Sequence, residues 1–119
     1  LVLAFNYGGR AEIVDAVREL VKRGTPADKV SEKTLRAHLY DPEMPDPDLV
    51  VRTSGEYRIS NFLLWEAAYA ELHFTPMMWP DFGPAELRAA LDDFSGRERR
   101  YGGLKDVAAV GRLGGEIVS

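Results

Sequence analysis

The sequence predicts an α/β domain with a mainly parallel sheet flanked by helices. Short β-branched and apolar runs alternate with stretches whose apolar residues repeat at helical spacing. The order along the chain is strand, helix, helix, strand, helix, strand, helix. Parallel neighbours in a sheet need a crossover connection, and helices between the strands provide it.

The first forty residues are predicted to form one strand and two helices. A continuous apolar run indicates a strand over 1–7, which leads into a glycine-containing turn at 6–10. A helix over 11–23 follows, because its apolar residues fall on one face, and Gly24 is suited to end it. After a short loop, Ser31 is expected to cap a second, short helix.

The rest of the chain alternates between strand and helix. Three prolines in 41–47 exclude regular structure there, and Pro84 suits the first position of a helix. The segment 60–70 is apolar nearly all round, which is typical of a helix that is buried or lies in a subunit interface. In chain order, the predicted elements are a strand over 49–51, a helix over 60–70, a strand over 72–75, a helix from Pro84 and a loosely ordered tail over 104–119.

The apolar run at 1–7 stands at the very beginning of the chain. A parallel strand buried in a sheet has neighbours on both sides. We therefore expect the chain to begin inside a domain, with part of that domain absent.

Composition excludes several classes of protein. The chain has 15 Lys+Arg against 19 Asp+Glu, a net charge of −4, which argues against a broad nucleic-acid surface. Cysteine is absent, which excludes disulfides, zinc–thiolate sites and cysteine nucleophiles and fits a reducing compartment. No apolar run reaches the roughly 18 residues that span a bilayer. A cytoplasmic protein is expected.

Arg52 and Arg58 are the main candidate binding residues. They flank a polar loop that follows the second strand and leads to the predicted helix start at Ser60. Anionic ligands bind at such strand ends and helix N-termini in α/β proteins. A guanidinium suits phosphate because its planar fork donates two parallel hydrogen bonds. Alternatively, both arginines are surface residues paired with Glu56 and Asp48.

Three other features carry weaker chemical signals. Glu71 is either a solvated carboxylate at a helix end or an oxygen ligand for Mg²⁺, which binds carboxylates together with substrate phosphates. The turn from Asn6 to Arg10 is similar to a phosphate-approach turn but lacks a dinucleotide-binding fingerprint. His38 and His73 have no acid or nucleophile at useful spacing, so a catalytic triad is not indicated.

Several independent motifs resemble the C-terminal half of cis-prenyltransferases, whose bacterial type is undecaprenyl diphosphate synthase. The resemblance covers residues 1–103 in the family's order and predicts that this range is the C-terminal part of such a domain. The motifs are Asn-Tyr-Gly-Gly-Arg at 6–10, the run at 48–65, Ala-Glu-Leu at 70–72, Trp-Pro-Asp-Phe at 79–82 and Arg-Arg-Tyr-Gly-Gly at 99–103.

The resemblance implies a reaction and a set of roles. Isopentenyl diphosphate condenses repeatedly with an allylic diphosphate, forms Z double bonds and releases diphosphate. Glu71 would ligate a Mg²⁺ on the isopentenyl diphosphate, and Asn6 and Arg10 would belong to a supporting turn. Arg100 and Gly102 match a tail motif that reaches across a homodimer to the partner's site. The residues implied to hold the diphosphate are Arg52, Arg58, Ile59 and Ser60.

The chain also departs from the family pattern. Tyr57 stands where some members have a histidine that helps the metal. The family's N-terminal half, with the allylic diphosphate site and the catalytic aspartate, is absent, so the chain alone is expected to be inactive. Peripheral membrane association through the lipid product is a further expectation. The alternatives are a non-catalytic subunit of a heteromeric cis-prenyltransferase and an unrelated α/β nucleotide-binding module.

Overall fold

The structure, a computed structural model, describes residues 1–97 of the chain. The predicted tail at 104–119, like Arg100 and Gly102, lies outside the described residues. The elements in chain order are α1 (Gly9–Lys22), α2 (Glu32–Arg36), β1 (Leu49–Arg52), β2 (Glu71–Phe74) and α3 (Pro84–Ser95), with 3₁₀ turns at Ala27–Lys29 and Trp79–Asp81.

The two strands confirm the predicted parallel sheet. β1 and β2 pair in parallel, with Leu49 opposite Glu71 and Arg52 opposite Phe74. This register places the carboxyl ends of both strands at the same edge of the sheet. The loops that follow the two strands therefore meet at that edge, where α/β proteins usually bind ligands.

Helix α1 confirms the predicted helix and its end, but the apolar face expected for it is not the buried one, because Val14, Val17 and Val21 are exposed. Ala16 and Leu20 are buried on one face, at the four-residue spacing that a helix brings into line. The helix ends at Lys22, and Gly24 follows with a φ of 68°, a left-handed conformation that glycine adopts at no steric cost. None of the helices in the described range combines the length and hydrophobicity needed to cross a bilayer.

The predicted cap at Ser31 and the predicted helix start at Pro84 are confirmed. The Ser31 hydroxyl accepts a hydrogen bond from the Thr34 backbone N–H at 3.2 Å, and the Thr34 hydroxyl accepts one from the Ser31 N–H at 2.7 Å. This reciprocal pair satisfies two backbone donors that a helix start leaves open. Pro84 is the first residue of α3, and Glu86 accepts a hydrogen bond from the Gly83 N–H at 2.9 Å.

The prediction of a strand over 1–7 is wrong. The structure gives these residues no strand assignment, and residues 1–5 are exposed. A strand is defined by its hydrogen bonds to a neighbour, and the sheet of the described range consists of β1 and β2 alone. The apolar residues of this segment therefore have the composition of a strand without the pairing that makes one.

The prediction of a helix over 60–70 is also wrong. Ser60, Asn61 and Leu63 have φ values of 54°, 63° and 47°, which a right-handed helix excludes. Instead of capping a helix, Ser60 lies in a series of turns, and this segment includes the exposed Phe62. Glu71, which was expected near the helix end, is the first residue of β2.

Asn61 explains why this segment turns. Its carbonyl oxygen accepts a hydrogen bond from the Gly9 N–H at 2.7 Å, and its side-chain oxygen accepts one from the Arg10 N–H at 2.9 Å. These are open donors at the start of α1. Gly9 permits the approach, because a Cβ there would lie 2.8 Å from the Leu64 Cγ atom. The start of α1 thus fixes the segment in a non-helical path.

Candidate anion-binding site

A cleft of about 440 Å³ lies at the carboxyl edge of the sheet and contains both predicted arginines. We call it the arginine cleft. Arg52 is the last residue of β1, and Arg58 lies in the loop that follows. Residues of both strands and of this loop line the cleft: Val50, Val51, Arg52, Thr53, Ser54, Glu56, Arg58, Ile59, Phe62, Leu72 and Phe74.

The loop between the two arginines is held by backbone hydrogen bonds. The Ser54 N–H donates to the Met77 carbonyl at 2.8 Å, and the Gly55 N–H donates to the Thr75 carbonyl at 3.0 Å. Ser54 and Gly55 both have a φ of 68°, which makes the turn tight. The loop after β1 is therefore pinned to the segment after β2, and this contact determines where Arg58 lies relative to Arg52.

Both guanidinium groups bind the same carboxylate, that of Glu56. Arg52 forms an ion pair and a hydrogen bond with one oxygen of Glu56, and the Arg58 Nη2 atom lies 3.0 Å from the other. Two positive charges and one negative charge leave the trio with one net positive charge. The arginines are thus paired with Glu56, as one sequence interpretation expected, and they can reach a single anionic group together.

The two other predicted diphosphate residues lie differently. Ile59 is half-buried and lines the arginine cleft. Ser60 is exposed and is not among the residues that line the cleft. Its left-handed backbone carries no helix N-terminus, so the extra N–H donors expected beside it are not presented there.

Glu71 lies at the opposite end of the sheet from the two arginines. It is three residues before Phe74, the register partner of Arg52, which corresponds to roughly 10 Å along a strand. One of its carboxylate oxygens lies 3.2 Å from the Arg97 Nη1 atom. Within the described residues no group of three His, Cys, Asp or Glu side chains could hold a metal ion. Glu71 is also not among the residues that line the arginine cleft, so the described part of the chain does not bring it together with the two arginines.

The Glu71 end of the sheet is a separate charged cluster. Arg97 also donates to the Leu72 carbonyl at 3.0 Å and to Asp93 at 2.5 Å. Hydrogen bonds from Arg97 and His73 hold the pKa of Asp93 below its ordinary value. These contacts attach the end of α3 to the start of β2, so they have a structural explanation.

The turn that contains Asn6 and Arg10 contacts the arginine loop indirectly. Asn6 has a φ of 51°, and the N–H groups of Gly9 and Arg10 are bound by Asn61, three residues after Arg58. Because Asn61 occupies these donors, they are not open to an anion. Through these hydrogen bonds to Asn61, the turn supports the segment that follows Arg58.

Sequence reasoning missed a pair of buried acids next to this turn. Glu12 in α1 is 2% exposed and Glu66 is 3% exposed. Burial raises the pKa of Glu66 above its ordinary value, and the neighbouring Glu12 carboxyl raises it further. Burial and a hydrogen bond to Glu12 also raise the pKa of the Tyr7 phenol. The available signal was a lone glutamate inside the apolar run at 62–68.

Comparisons with known proteins place these residues in context. A family model described as putative undecaprenyl diphosphate synthase matches residues 1–102. An isoprenyl transferase of Caulobacter vibrioides is 55% identical over 117 residues, which cover 93% of this chain and 45% of that protein. An isoprenyl transferase of Thermotoga maritima is 53% identical over 106 residues, which cover 87% of this chain and 46% of that protein.

Two solved structures are similar in fold. A lavandulyl diphosphate synthase from Lavandula x intermedia, in complex with dimethylallyl diphosphate, has a TM-score of 0.78 and 42% identity over 84% of this chain and 45% of that one. A probable undecaprenyl diphosphate synthase from Campylobacter jejuni has a TM-score of 0.73 and 34% identity over 84% of this chain and 46% of that one. The chain thus spans slightly less than half the length of the relatives it matches.

Proposed function

Because the chain belongs to the undecaprenyl diphosphate synthase family of prenyltransferases, we propose that it takes part in cis-prenyl chain elongation. In this reaction the alkene of isopentenyl diphosphate bonds to the first carbon of an allylic diphosphate. A proton is lost, diphosphate leaves, and the product carries a new Z double bond. The proposed contribution of this chain is the isopentenyl diphosphate site, formed by the arginine cleft.

The convergence of two guanidinium groups on one carboxylate is the observation that carries this proposal. Arg52 and Arg58 bind opposite oxygens of Glu56 at the carboxyl edge of a parallel sheet. A diphosphate presents several oxygens to such a pair, and each guanidinium can donate two parallel bonds. The ligand would take the place of the Glu56 carboxylate between them.

The wall beside the arginines favours a ligand with an apolar tail. Val50, Ile59, Phe62 and Leu72 line the same cleft as the two guanidinium groups. A five-carbon alkenyl group against this wall would remove apolar surface from water while its diphosphate stays on the arginines. Isopentenyl diphosphate has both parts, so the composition of the cleft supports it over inorganic diphosphate.

In this proposal the residues of the chain bind and orient the substrate. Holding the diphosphate fixes where the alkene lies, and such positioning is a large part of the barrier reduction in a two-substrate reaction. A bound Mg²⁺ would neutralise part of the diphosphate charge. Since Glu71 does not line the cleft, its role as the Mg²⁺ ligand stays a prediction from the family resemblance.

The proposed partners follow from the same family membership. The dimethylallyl diphosphate complex of the lavandulyl diphosphate synthase supports an allylic diphosphate as the second substrate. We also propose a homodimer in which Arg100 and Gly102 act on the partner's site. A cytoplasmic location at the membrane surface, with the lipid product as the link, completes the proposal.

A calorimetric titration tests the site. The chain should bind isopentenyl diphosphate, and Arg58→Ala should weaken that binding, while Arg88→Ala, an exposed arginine of α3, should not. ATP is the competitor that separates the nucleotide-binding alternative. Tight binding of ATP without binding of isopentenyl diphosphate would refute the proposal.

A further inference from the structure

The buried acids Glu12 and Glu66 join three parts of the chain that are far apart in sequence. Glu12 lies in α1 and Glu66 in the turns after the arginine loop. The Glu12 Oε1 atom accepts a hydrogen bond from the Tyr40 N–H at 3.0 Å, and its Oε2 atom accepts one from the Tyr7 hydroxyl. Both oxygens of Glu12 therefore have donors.

Glu66 is not satisfied in the same way. Its Oε2 atom is buried without a hydrogen-bond partner. A buried polar atom without a partner is costly, and a buried unpaired charge costs more. The neighbouring Glu12 offers only acceptors when it is ionised, so the two acids can bond to each other only through a proton. The raised pKa of Glu66 agrees with this requirement.

The other charged and titratable groups around the pair do not remove the need for a proton. Arg36 of α2 favours the ionised form of Glu66, but its guanidinium is bound to Asp46 and to the Met44 carbonyl. The Tyr40 hydroxyl donates to Asp15 at 2.6 Å. Asp41 and Tyr7 line the same small cavity as the acids, and the Tyr7 hydroxyl donates to Glu12.

The pair is connected to the arginine cleft through aromatic packing. The Tyr7 ring meets the Phe62 ring edge to face, with centroids 5.7 Å apart. Phe62 and Ile59 line the arginine cleft, and Glu66 follows Phe62 by four residues on the same segment. The acid pair is therefore linked to the wall of the cleft by the Tyr7 hydrogen bond to Glu12 and the Tyr7 ring contact with Phe62.

We infer that Glu66 carries a proton that it donates to Glu12, and that this acid pair positions the Ile59 and Phe62 wall of the arginine cleft. Glu66 is then a positioning residue, which acts through Tyr7 and Phe62 without touching the ligand. The position of the cleft wall is inferred from the structure alone. The effect of the wall on isopentenyl diphosphate binding rests on the proposed function.

The sign of the pH effect follows from linkage. Because the folded-state pKa of Glu66 is raised above its ordinary value of 4.5, the folded state binds more protons than the unfolded state between these two values. The stability that the proton shared by Glu66 and Glu12 contributes is fully present below pH 4.5 and is lost as pH rises through the folded-state pKa of Glu66. Glu66→Gln keeps a permanent donor to Glu12 and should remove this dependence.

Three measurements on the 119-residue chain test the inference between about pH 5 and about pH 8. Infrared difference spectra should show a protonated carboxylic acid that disappears in Glu66→Gln. The thermal unfolding temperature of the unmodified chain should fall more steeply with rising pH than that of Glu66→Gln. The NMR resonance of the Ile59 methyl group should move with the infrared titration and stay fixed in Glu66→Gln. Glu19→Gln, at a partly exposed acid of the same helix α1, is the control with the same substitution.

Isopentenyl diphosphate affinity is the functional measurement. It should fall about tenfold more with rising pH for the unmodified chain than for Glu66→Gln, a ratio that cancels titration of the ligand itself. The inference would be overturned if the carboxylic acid band is absent. It would also be overturned if the Ile59 resonance does not shift over the pH range in which the band titrates. If no variant binds isopentenyl diphosphate while the band and the Ile59 shift appear together, the inference stands and the proposed function fails.

Discussion

Replacing Glu56 with glutamine should strengthen diphosphate binding and weaken the ligand-free fold. The carboxylate of Glu56 is the group that an incoming diphosphate must displace, since it holds both Arg52 and Arg58. Glutamine keeps the size of the side chain but removes the negative charge. The two guanidinium groups then lack an ionic partner until a ligand binds.

The magnitude follows from the exposure of the two ion pairs. The side chains of Arg52 and Glu56 are each 35% exposed and that of Arg58 is 66% exposed, so solvent screens both pairs. Pairs of this kind contribute roughly 0.2–1 kcal/mol each. Removing both should lower the free energy of unfolding by about 1 kcal/mol. A ligand would no longer have to break these two ion pairs, so the same free energy corresponds to about fivefold tighter binding.

Two measurements on the same samples check this reasoning. Urea unfolding gives the loss of stability, and calorimetric titration with isopentenyl diphosphate gives the change in Kd. Glu19→Gln removes an equal charge from an exposed i,i+3 pair with Lys22 and should change neither quantity appreciably. If Glu56→Gln binds isopentenyl diphosphate more weakly than the unmodified chain, Glu56 belongs to the binding machinery and the displacement argument is refuted.

Three further substitutions probe other parts of the account. Arg58→Ala removes a charge-assisted donor and should weaken isopentenyl diphosphate binding at least about tenfold in calorimetry. The same change in a full-length relative should spare the binding of allylic diphosphate. An equal loss of both affinities would mean that the arginine supports the fold. Gly9→Ala forces a Cβ to within 2.8 Å of Leu64 and should cost about 1–3 kcal/mol in urea unfolding, whereas Gly96→Ala, whose nearest atom is 3.6 Å away, should be neutral. Arg97→Ala should lower the midpoint of urea unfolding, because it deletes the bonds to Leu72 and Glu71 that attach α3 to β2. An unchanged midpoint would show that this attachment is not stabilising.

Local sequence signals were sufficient where the deciding contacts are local. The spacing of apolar residues predicted α1. Ser31 was predicted to cap α2, and Thr34, three residues later, completes that cap. The β-branched run before Arg52 predicted β1. The parallel pairing of β1 and β2 was also predicted, although the helix expected between them is a series of turns. The arginine pair was found because the two residues are close in sequence, at the end of β1 and in the loop that follows.

The failures occur where the deciding contact is distant in sequence. An apolar segment is compatible with a helix or with packed turns, and the hydrogen bonds from Gly9 and Arg10 to Asn61 select the turns across about fifty residues. The run at 1–7 has strand composition, yet pairing depends on a partner. Glu12 and Glu66 line the same cavity although they are far apart in sequence, so their burial could not be read from either residue's neighbours.

A crystal structure of the chain with isopentenyl diphosphate would test the central claim most directly. We predict that the diphosphate lies between the guanidinium groups of Arg52 and Arg58, with the Glu56 carboxylate displaced and the alkenyl tail against Ile59 and Phe62. A diphosphate bound elsewhere on the chain, while Glu56 still holds both arginines, would contradict it.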